Sequence, residues 1–423
     1  MAVSQHVSAL PRPTGSKDGR SVFAVRALML FLVLEYVRPP LLPELKLQMG
    51  IVVLMLVLWF RARERPWSRI LTAQVLFLIV CIQAIPFAWN YYAAYFTSRI
   101  MFGHVCIALA LSWLLATPVL FRKVAWVWLL IMGYVAIFGI LHGGKGPGAM
   151  LGDENDMALG CATAFPFAFY GFERLSGGRR WLCGLIGALL VIAIVISFSR
   201  GGFVALVVVA VYCWLASRHK LRGLLVVAVA AGLLVIAAPD EGRTGQSYLE
   251  RVKSIFQTQE GTAEGRRFLW AAAWNMWRAH PVLGVGGGNY TFLVGRYQST
   301  DFDKREYLER EWSGTATHSI YFQVLSEHGS VGVLLFAYIV WMTFSTLRRL
   351  RRLARSAPGL PADVRRDAEL YGGALGGAVT AYLAAGAFLS VAYYPYLWYF
   401  SAMAVALEAA VQQEVSTAGS GRA

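Results

Sequence analysis

Long apolar runs recur along almost the whole chain, and they constrain its fold more than any other feature of the sequence. Most of them are long enough to cross a hydrocarbon layer about 30 Å thick. Hydrophobic residues make up 57% of the 423 residues, whereas a soluble protein of this size needs a more polar surface. Because lipid offers no hydrogen bonds to the backbone, such runs must be helical. The sequence therefore predicts an all-α, polytopic membrane protein.

The apolar runs and their interruptions predict about twelve transmembrane helices and one large polar loop. The predicted spans lie at about residues 22–37, 44–60, 70–88, 93–116, 124–141, 157–173, 181–198, 203–216, 221–238, 319–346, 370–392 and 396–412. The chain then divides into a disordered cytoplasmic N-terminus at 1–21, spans one to nine within 22–238, a loop at 239–318, spans ten to twelve within 319–412, and a cytoplasmic tail at 413–423.

The basic residues argue for a membrane topology and against a nucleic-acid partner, although the formal net charge is +15. They do not form one patch but sit in short segments between apolar runs, which is the topology signal of membrane proteins. The short loops assigned to the outer side carry only Arg38, Lys145 and Arg200. This bias predicts that both termini are cytoplasmic and that the loop at 239–318 lies outside the membrane.

The sequence predicts no metal site and no cofactor. The five cysteines lie in apolar runs, and their spacing matches no metal-binding motif. The acidic group at 153–156 is predicted to cap the following helix, where its charge suits the helix dipole. The mixed-charge run at 301–311 is interpreted as a solvated helix face.

Arg200 lies in an unusually tight connection between the seventh and eighth predicted spans. An arginine on the outer side is contrary to the cytoplasmic bias of the basic residues, so its position requires an explanation. One interpretation is binding of a lipid headgroup, and the other is a phosphate ligand in an outward-facing site. Arg99 and Lys145 are further outer cations, for which packing or pairing roles and a place beside the site both stay open.

The long loop contains one strong helical signal. Trp270, Trp274 and Trp277 fall at helical spacing and predict an aromatic face, which is more often a packing face than a recognition site. Nearby arginines, Arg266 and Arg267 among them, fit a helix lying in the outer headgroup region. Pro281, after the aromatic face, is predicted to end the helix.

Polar residues also mark the beginning of the tenth predicted span. His318 precedes the span, where a lone histidine is most often an interfacial polar residue. Glu327 lies further along the same span and is expected to anchor the helix or to pair with an arginine. Gly329 and Gly332 then permit either close helix packing or a break.

Three motifs together resemble the O-antigen ligase and polymerase superfamily. They are Ser199-Arg200-Gly201-Gly202, Arg266…Trp270…Pro281…Gly284-Val285-Gly286, and His318…Glu327…Gly329…Gly332. The layout of about twelve spans with one large loop before the tenth resembles the ligase, so the likeness covers most of the chain. It implies a GT-C-like glycosyltransferase architecture on the periplasmic face of the bacterial inner membrane.

The resemblance also implies a reaction and its residues. A glycan is transferred from undecaprenyl pyrophosphate to a sugar hydroxyl of the lipid A–core, with inversion and without a metal. His318 is expected to be the base, and Arg200 and Arg266 the pyrophosphate ligands, with the adjacent Arg267 as the alternative to Arg266. Arginine forks suit a charged leaving group, and histidine titrates near neutral pH. The expected partners are the two lipid-linked substrates and membrane lipids.

Three alternatives stay open at this point. An O-antigen polymerase and a protein O-oligosaccharyltransferase differ from the ligase in their acceptor, which the motif residues do not encode. A transporter of lipid-linked glycans would carry out no chemistry, and it would be expected to show internal repeats and broken helices near the midplane. The sequence has no evident internal repeat, and its charged outer residues cluster on one face, which favours an enzyme.

Overall fold

A computed structural model describes residues 22–37, 47–62, 65–148, 150–217, 260–298 and 314–420, and this part of the chain is helical without any strand. Its longer helices are α1 (Val22–Tyr36), α2 (Leu47–Arg61), α3 (Arg69–Gln83), α4 (Tyr91–Leu114), α5 (Pro118–Leu141), α6 (Glu154–Arg174), α7 (Gly177–Ile196), α8 (Arg200–Ala216), α9 (Glu260–Ala279), α10 (Ile320–Ser356), α11 (Ala362–Gly386) and α12 (Pro395–Ser420). The predicted span at 221–238, the loop segment 239–259 and the charged run at 301–311 lie outside the described residues.

Five stretches of the described chain are long and apolar enough to cross a membrane. They are Arg69–Phe87, Tyr91–Leu114, Pro118–Leu141, Gly177–Ile196 and Ile320–Ser356. The helices Leu47–Arg61 and Arg200–Ala216 are apolar but shorter. The prediction of a multi-pass helical protein is thus confirmed in its coarse form, while twelve spans and the sidedness of the loop stay predictions.

Polar side chains cap several helices where the sequence changes from loop to apolar run. Ser68, Asn90 and Ser199 each accept a backbone amide of the first turn, at the start of α3, α4 and α8. Asp153 accepts the amide of Asn155 at the start of α6. The capping role predicted for the acidic group at 153–156 therefore holds for Asp153.

Several helices extend beyond the predicted spans, and α5 and α11 do so at ends where their charged residues pair with each other. Helix α5 begins at Pro118 and includes Arg122, whose guanidinium lies 2.8 Å from the carboxylate of Asp367 on α11. Helix α11 correspondingly begins at Ala362. It also ends at Gly386, so residues 387–392, which had been predicted to belong to its span, instead form part of a loop before α12.

Helix α10 is interrupted at Gly329, whose φ of 61° and ψ of −160° are not helical. Of the two roles predicted for this glycine, the break is the one observed. The segment 281–286 hydrogen-bonds to the backbone on both sides of the interruption: Val285 and Gly286 donate amides to the carbonyls of residues 326 and 327, and the amides of residues 330 and 331 donate to residues 281 and 282. The backbone groups freed by the break are therefore satisfied inside the protein, as a membrane helix requires.

Only glycine fits where these two segments meet. A Cβ atom added to Gly329 would lie 2.5 Å from the carbonyl oxygen of Val282, and one added to Gly284 would lie 2.5 Å from the backbone of Glu327. Both glycines also have positive φ, a conformation that other residues adopt at a cost. The glycine-rich segment and the broken helix consequently form one rigid unit.

Candidate active site

The ends of several helices meet where α8 begins, and we call this region the Arg200 end of the bundle. The Ser199 hydroxyl donates to the side-chain oxygen of Asn155 at 2.8 Å and joins α8 to the start of α6. A Cβ atom added to Gly201 would lie 3.3 Å from Phe388, so the tight turn packs directly against the loop after α11. Small residues thus bring the start of α8, which carries the half-buried Arg200, next to this loop.

The loop at 387–394 connects several of the segments that meet in this region. The Ser390 hydroxyl accepts the backbone amide of His318 at 2.9 Å and lies 2.8 Å from the hydroxyl of Thr317. Tyr394 donates its hydroxyl to Asp156 at 2.7 Å. The loop therefore ties the residues before α10 to the start of α6.

Sequence reasoning missed this loop because its apolar residues read as the end of a membrane span. The signal that was available is Pro395, which begins α12 directly after two tyrosines. Proline is favoured in the first turn of a helix and indicates a loop before it.

Helix α9 brings Arg266, rather than Arg267, against this loop. The guanidinium carbon of Arg266 lies 5.4 Å from the centre of the Phe388 ring. Arg266 is half-buried, whereas Arg267 is exposed. Leu269 and Ala273, three and seven residues after Arg266, are buried and share its helix face. Arg267 instead shares a face with the exposed Trp274.

Two of the three predicted tryptophans fix α9 on α10, which confirms the packing interpretation for them. The Trp270 ring stacks on Phe322 at 5.1 Å, and its indole N–H donates to the carbonyl of Thr317 at 3.1 Å. The Trp277 indole donates to Ser330 at 3.0 Å. Helix α9 ends at Ala279, shortly before Pro281, as predicted.

His318 precedes α10 in a left-handed conformation, with a φ of 48° that non-glycine residues rarely adopt. Its side chain is exposed, while the neighbouring Thr317 and Ser319 are buried. Backbone strain of this kind clusters at functional sites. The bonds from Ser390 and Trp270 to residues 317 and 318 hold this conformation.

The charged groups of this region shift one another's pKa. Partial desolvation, and then the positive charge of Arg266, lower the pKa of His318, while Asp153 acts in the opposite direction. Desolvation also lowers the pKa of Arg266, with a further contribution from the charge of Arg200. Arginine stays protonated despite such a shift, so two like charges lie close enough to repel each other. The arrangement suits an anion between the arginines and a neutral imidazole beside them.

The other residues singled out in the sequence take different places. The guanidinium of Arg99 lies over the ring of Phe96 on its own helix, and Lys145 pairs with Glu154 at 3.6 Å. Glu327 is 2% exposed and accepts hydrogen bonds from backbone and tyrosine donors, which is the anchoring role.

Metal-ligating residues do not cluster in the residues that the structure describes. Within these ranges, no group of three or more His, Cys, Asp or Glu side chains could hold a metal ion. All five cysteines are free and buried.

The comparison with protein families agrees with this geometry. Residues 185–337, from α7 into α10, match the family model described as O-antigen ligase. The matched segment includes Arg200, Arg266 and His318. No curated protein matches the chain. The resemblance found in the motifs is therefore confirmed for residues 185–337 of this multi-pass membrane protein, which match the O-antigen ligase family model.

Proposed function

We propose that this protein is an O-antigen ligase that transfers a glycan from undecaprenyl pyrophosphate to a sugar hydroxyl of the lipid A–core. The reaction takes place on the periplasmic face of the inner membrane, inverts the anomeric centre and needs no metal ion. The observation that carries the proposal is the convergence of three distant motifs at the Arg200 end, where Arg200, Arg266 and His318 surround the loop at 387–394.

The two arginines are proposed to bind the pyrophosphate of the donor. Each guanidinium offers a planar fork that matches phosphate oxygens and keeps its charge at all relevant pH values. Their mutual repulsion in a partly desolvated place is relieved when an anion lies between them. As the glycosidic bond breaks, negative charge grows on the leaving pyrophosphate, and fixed positive charges stabilise that state most.

His318 is proposed to be the general base. The acceptor hydroxyl oxygen forms a bond to the anomeric carbon while the bond from that carbon to the phosphate oxygen breaks. The hydroxyl proton passes to the imidazole, and undecaprenyl pyrophosphate leaves. A lowered pKa keeps the imidazole neutral at neutral pH and therefore able to accept this proton. Asp153 then favours the resulting imidazolium.

The broken helix α10 requires the transporter alternative to be weighed again, since broken helices are a feature of transporters. Here the backbone groups at the break bind the segment 281–286 rather than facing a free substrate path. Arg266 and the strained His318 instead lie against one loop, next to the start of α8 with Arg200. This one-sided arrangement favours an enzyme.

The test uses the purified protein in lipid nanodiscs with a defined undecaprenyl pyrophosphate-linked glycan. Lipid A–core, a second lipid-linked glycan and a serine-containing peptide are offered separately as acceptors, and products are identified by mass spectrometry. The proposal expects a glycosylated lipid A–core of inverted linkage. Glycan transfer only to the second lipid-linked glycan or only to the peptide would replace the ligase by a polymerase or a protein glycosyltransferase. No transfer to any acceptor would argue against an enzyme.

A further inference from the structure

We propose that Glu327 is a positioning residue: its buried carboxylate holds the glycine-rich turn at 286–290 and the loop at 387–394 in one arrangement. The turn follows α9, which carries Arg266, and the loop binds the backbone of His318. The inference deepens the proposed function and rests on it for the roles of those two residues.

The Glu327 carboxylate accepts a hydrogen bond on each of its two oxygens. One of its oxygens accepts the backbone amide of Tyr290 at 3.3 Å. Its second oxygen accepts the hydroxyl of Tyr393. Each oxygen therefore has its own donor, which suits an acceptor-only carboxylate, whereas a glutamine amide would turn its NH₂ group toward one of these donors.

The Tyr393 hydroxyl extends this network in a defined direction. Because it donates its proton to Glu327, its oxygen must accept the bond from Nε2 of His328, which lies 2.8 Å away. Nδ1 of His328 is buried and has no hydrogen-bond partner among the described residues, as expected for the tautomer protonated on Nε2. Glu327 and His328, the two residues directly before the break in α10, therefore both bind the same tyrosine.

Tyr393 belongs to the loop at 387–394. Its carbonyl lies 2.9 Å from Nε2 of His104 on α4, and the neighbouring Ala392 donates its amide to Gln323 at 3.1 Å. Ser390, three residues earlier, binds the backbone of His318. A displacement of Tyr393 therefore reaches His318 through a few covalent bonds and one hydrogen bond.

The glycine-rich turn connects the same carboxylate to α9. The Asn289 side chain accepts the amide of Asn90 at 2.6 Å, which docks the turn on the start of α4. Tyr290 donates its hydroxyl to the carbonyl of Leu269, one turn after Arg266 on α9. Glu327 thus binds both segments, one through each carboxylate oxygen. The turn is joined to α9, which carries the proposed phosphate ligand Arg266, and the loop at 387–394 supports the proposed base His318.

The test compares Glu327→Gln, Tyr393→Phe and the control Thr343→Val in nanodiscs. Thr343 is equally buried on α10, but its hydroxyl bonds only within the helix. Hydrogen–deuterium exchange is measured for peptides covering 284–293 and 387–394, together with donor retention and turnover. The exchange readout does not depend on which glycan or acceptor the enzyme uses, so a failure of the proposed reaction would leave it interpretable.

Glu327→Gln is expected to raise exchange in both segments and to lower turnover about 10²-fold, the loss that a displacement near 1 Å causes. Donor retention should fall much less. Tyr393→Phe should raise exchange in 387–394 alone, and Thr343→Val should change neither segment. Wild-type turnover in Glu327→Gln would overturn the proposal, as would lost turnover with unchanged exchange. If Glu327→Gln raises exchange throughout the bundle, the Tyr393→Phe variant becomes the deciding test. Unchanged exchange at 387–394 in that variant would overturn the proposal.

Discussion

The two adjacent arginines on α9 allow a matched comparison between Arg266→Gln and Arg267→Gln. The substitutions remove the same charge from neighbouring positions, and both leave a shorter, neutral polar side chain. They differ in place: the Arg266 guanidinium lies 5.4 Å from the Phe388 ring centre and is half-buried, whereas Arg267 is exposed. Their effects on transfer should therefore differ widely, although the two residues are next to each other in the sequence.

The structure sets the expected magnitudes. Hydrogen bonds to charged groups contribute about 1.5–3 kcal/mol each. Loss of one such interaction with the departing pyrophosphate corresponds to roughly a tenfold to 150-fold lower kcat/KM for Arg266→Gln. An exposed substitution away from contacts usually changes free energies by no more than about 0.5 kcal/mol, which is roughly twofold for Arg267→Gln.

The same pair makes a prediction about pH. The charge of Arg266 contributes to the lowered pKa of His318. A neutral glutamine at this position removes that contribution, so the pKa of His318 should rise. Because the base works only when it is unprotonated, the acid limb of the activity profile should move to higher pH in Arg266→Gln and stay in place in Arg267→Gln.

The assay measures initial rates of glycan transfer in nanodiscs across the pH range in which histidine titrates. Donor retention by the same samples separates binding from turnover. Equal impairment of both variants, or a greater loss in Arg267→Gln, would refute the orientation of α9 described above. An acid limb that does not move in Arg266→Gln would show that the titrating group is not a histidine beside that arginine.

Three further outcomes follow from the same site. His318→Ala should lower turnover about 10²–10⁴-fold while the donor is still retained, and an equal loss of donor would make His318 a binding residue instead. Arg200→Lys should stay clearly impaired in transfer, because lysine keeps the charge and loses the bidentate fork, so full activity would contradict a phosphate-binding role. Transfer should continue in the presence of a chelator, and loss with rescue by magnesium would point to a metal held by acids such as Asp153 or Asp156.

The sequence alone predicted the elements of this protein that depend on neighbouring residues. Long apolar runs must become helices in lipid, whatever surrounds them. The cap at Asp153, and the end of α9 before Pro281, likewise follow from local hydrogen bonding and backbone geometry. The motifs at Arg200 and His318 could be recognised for the same reason, since each lies within a short segment of the chain.

Tertiary contacts decided the remainder, because those contacts join residues that are far apart in the chain. Whether Arg266 or Arg267 faces the site depends on which side of α9 is buried against α10. Helix α5 extends far enough to include Arg122, because Asp367 of α11 lies beside the Arg122 guanidinium.

The loop at 387–394 and the break at Gly329 show the same dependence. The loop leaves the helical path where Ser390 and its neighbours bind other segments, although its composition is that of a membrane span. The break is stable because the segment 281–286 supplies the missing hydrogen bonds. A sequence reveals its own apolar length and its own caps, but it does not reveal which distant backbone will satisfy an exposed amide or which side chain will lie beside a charge.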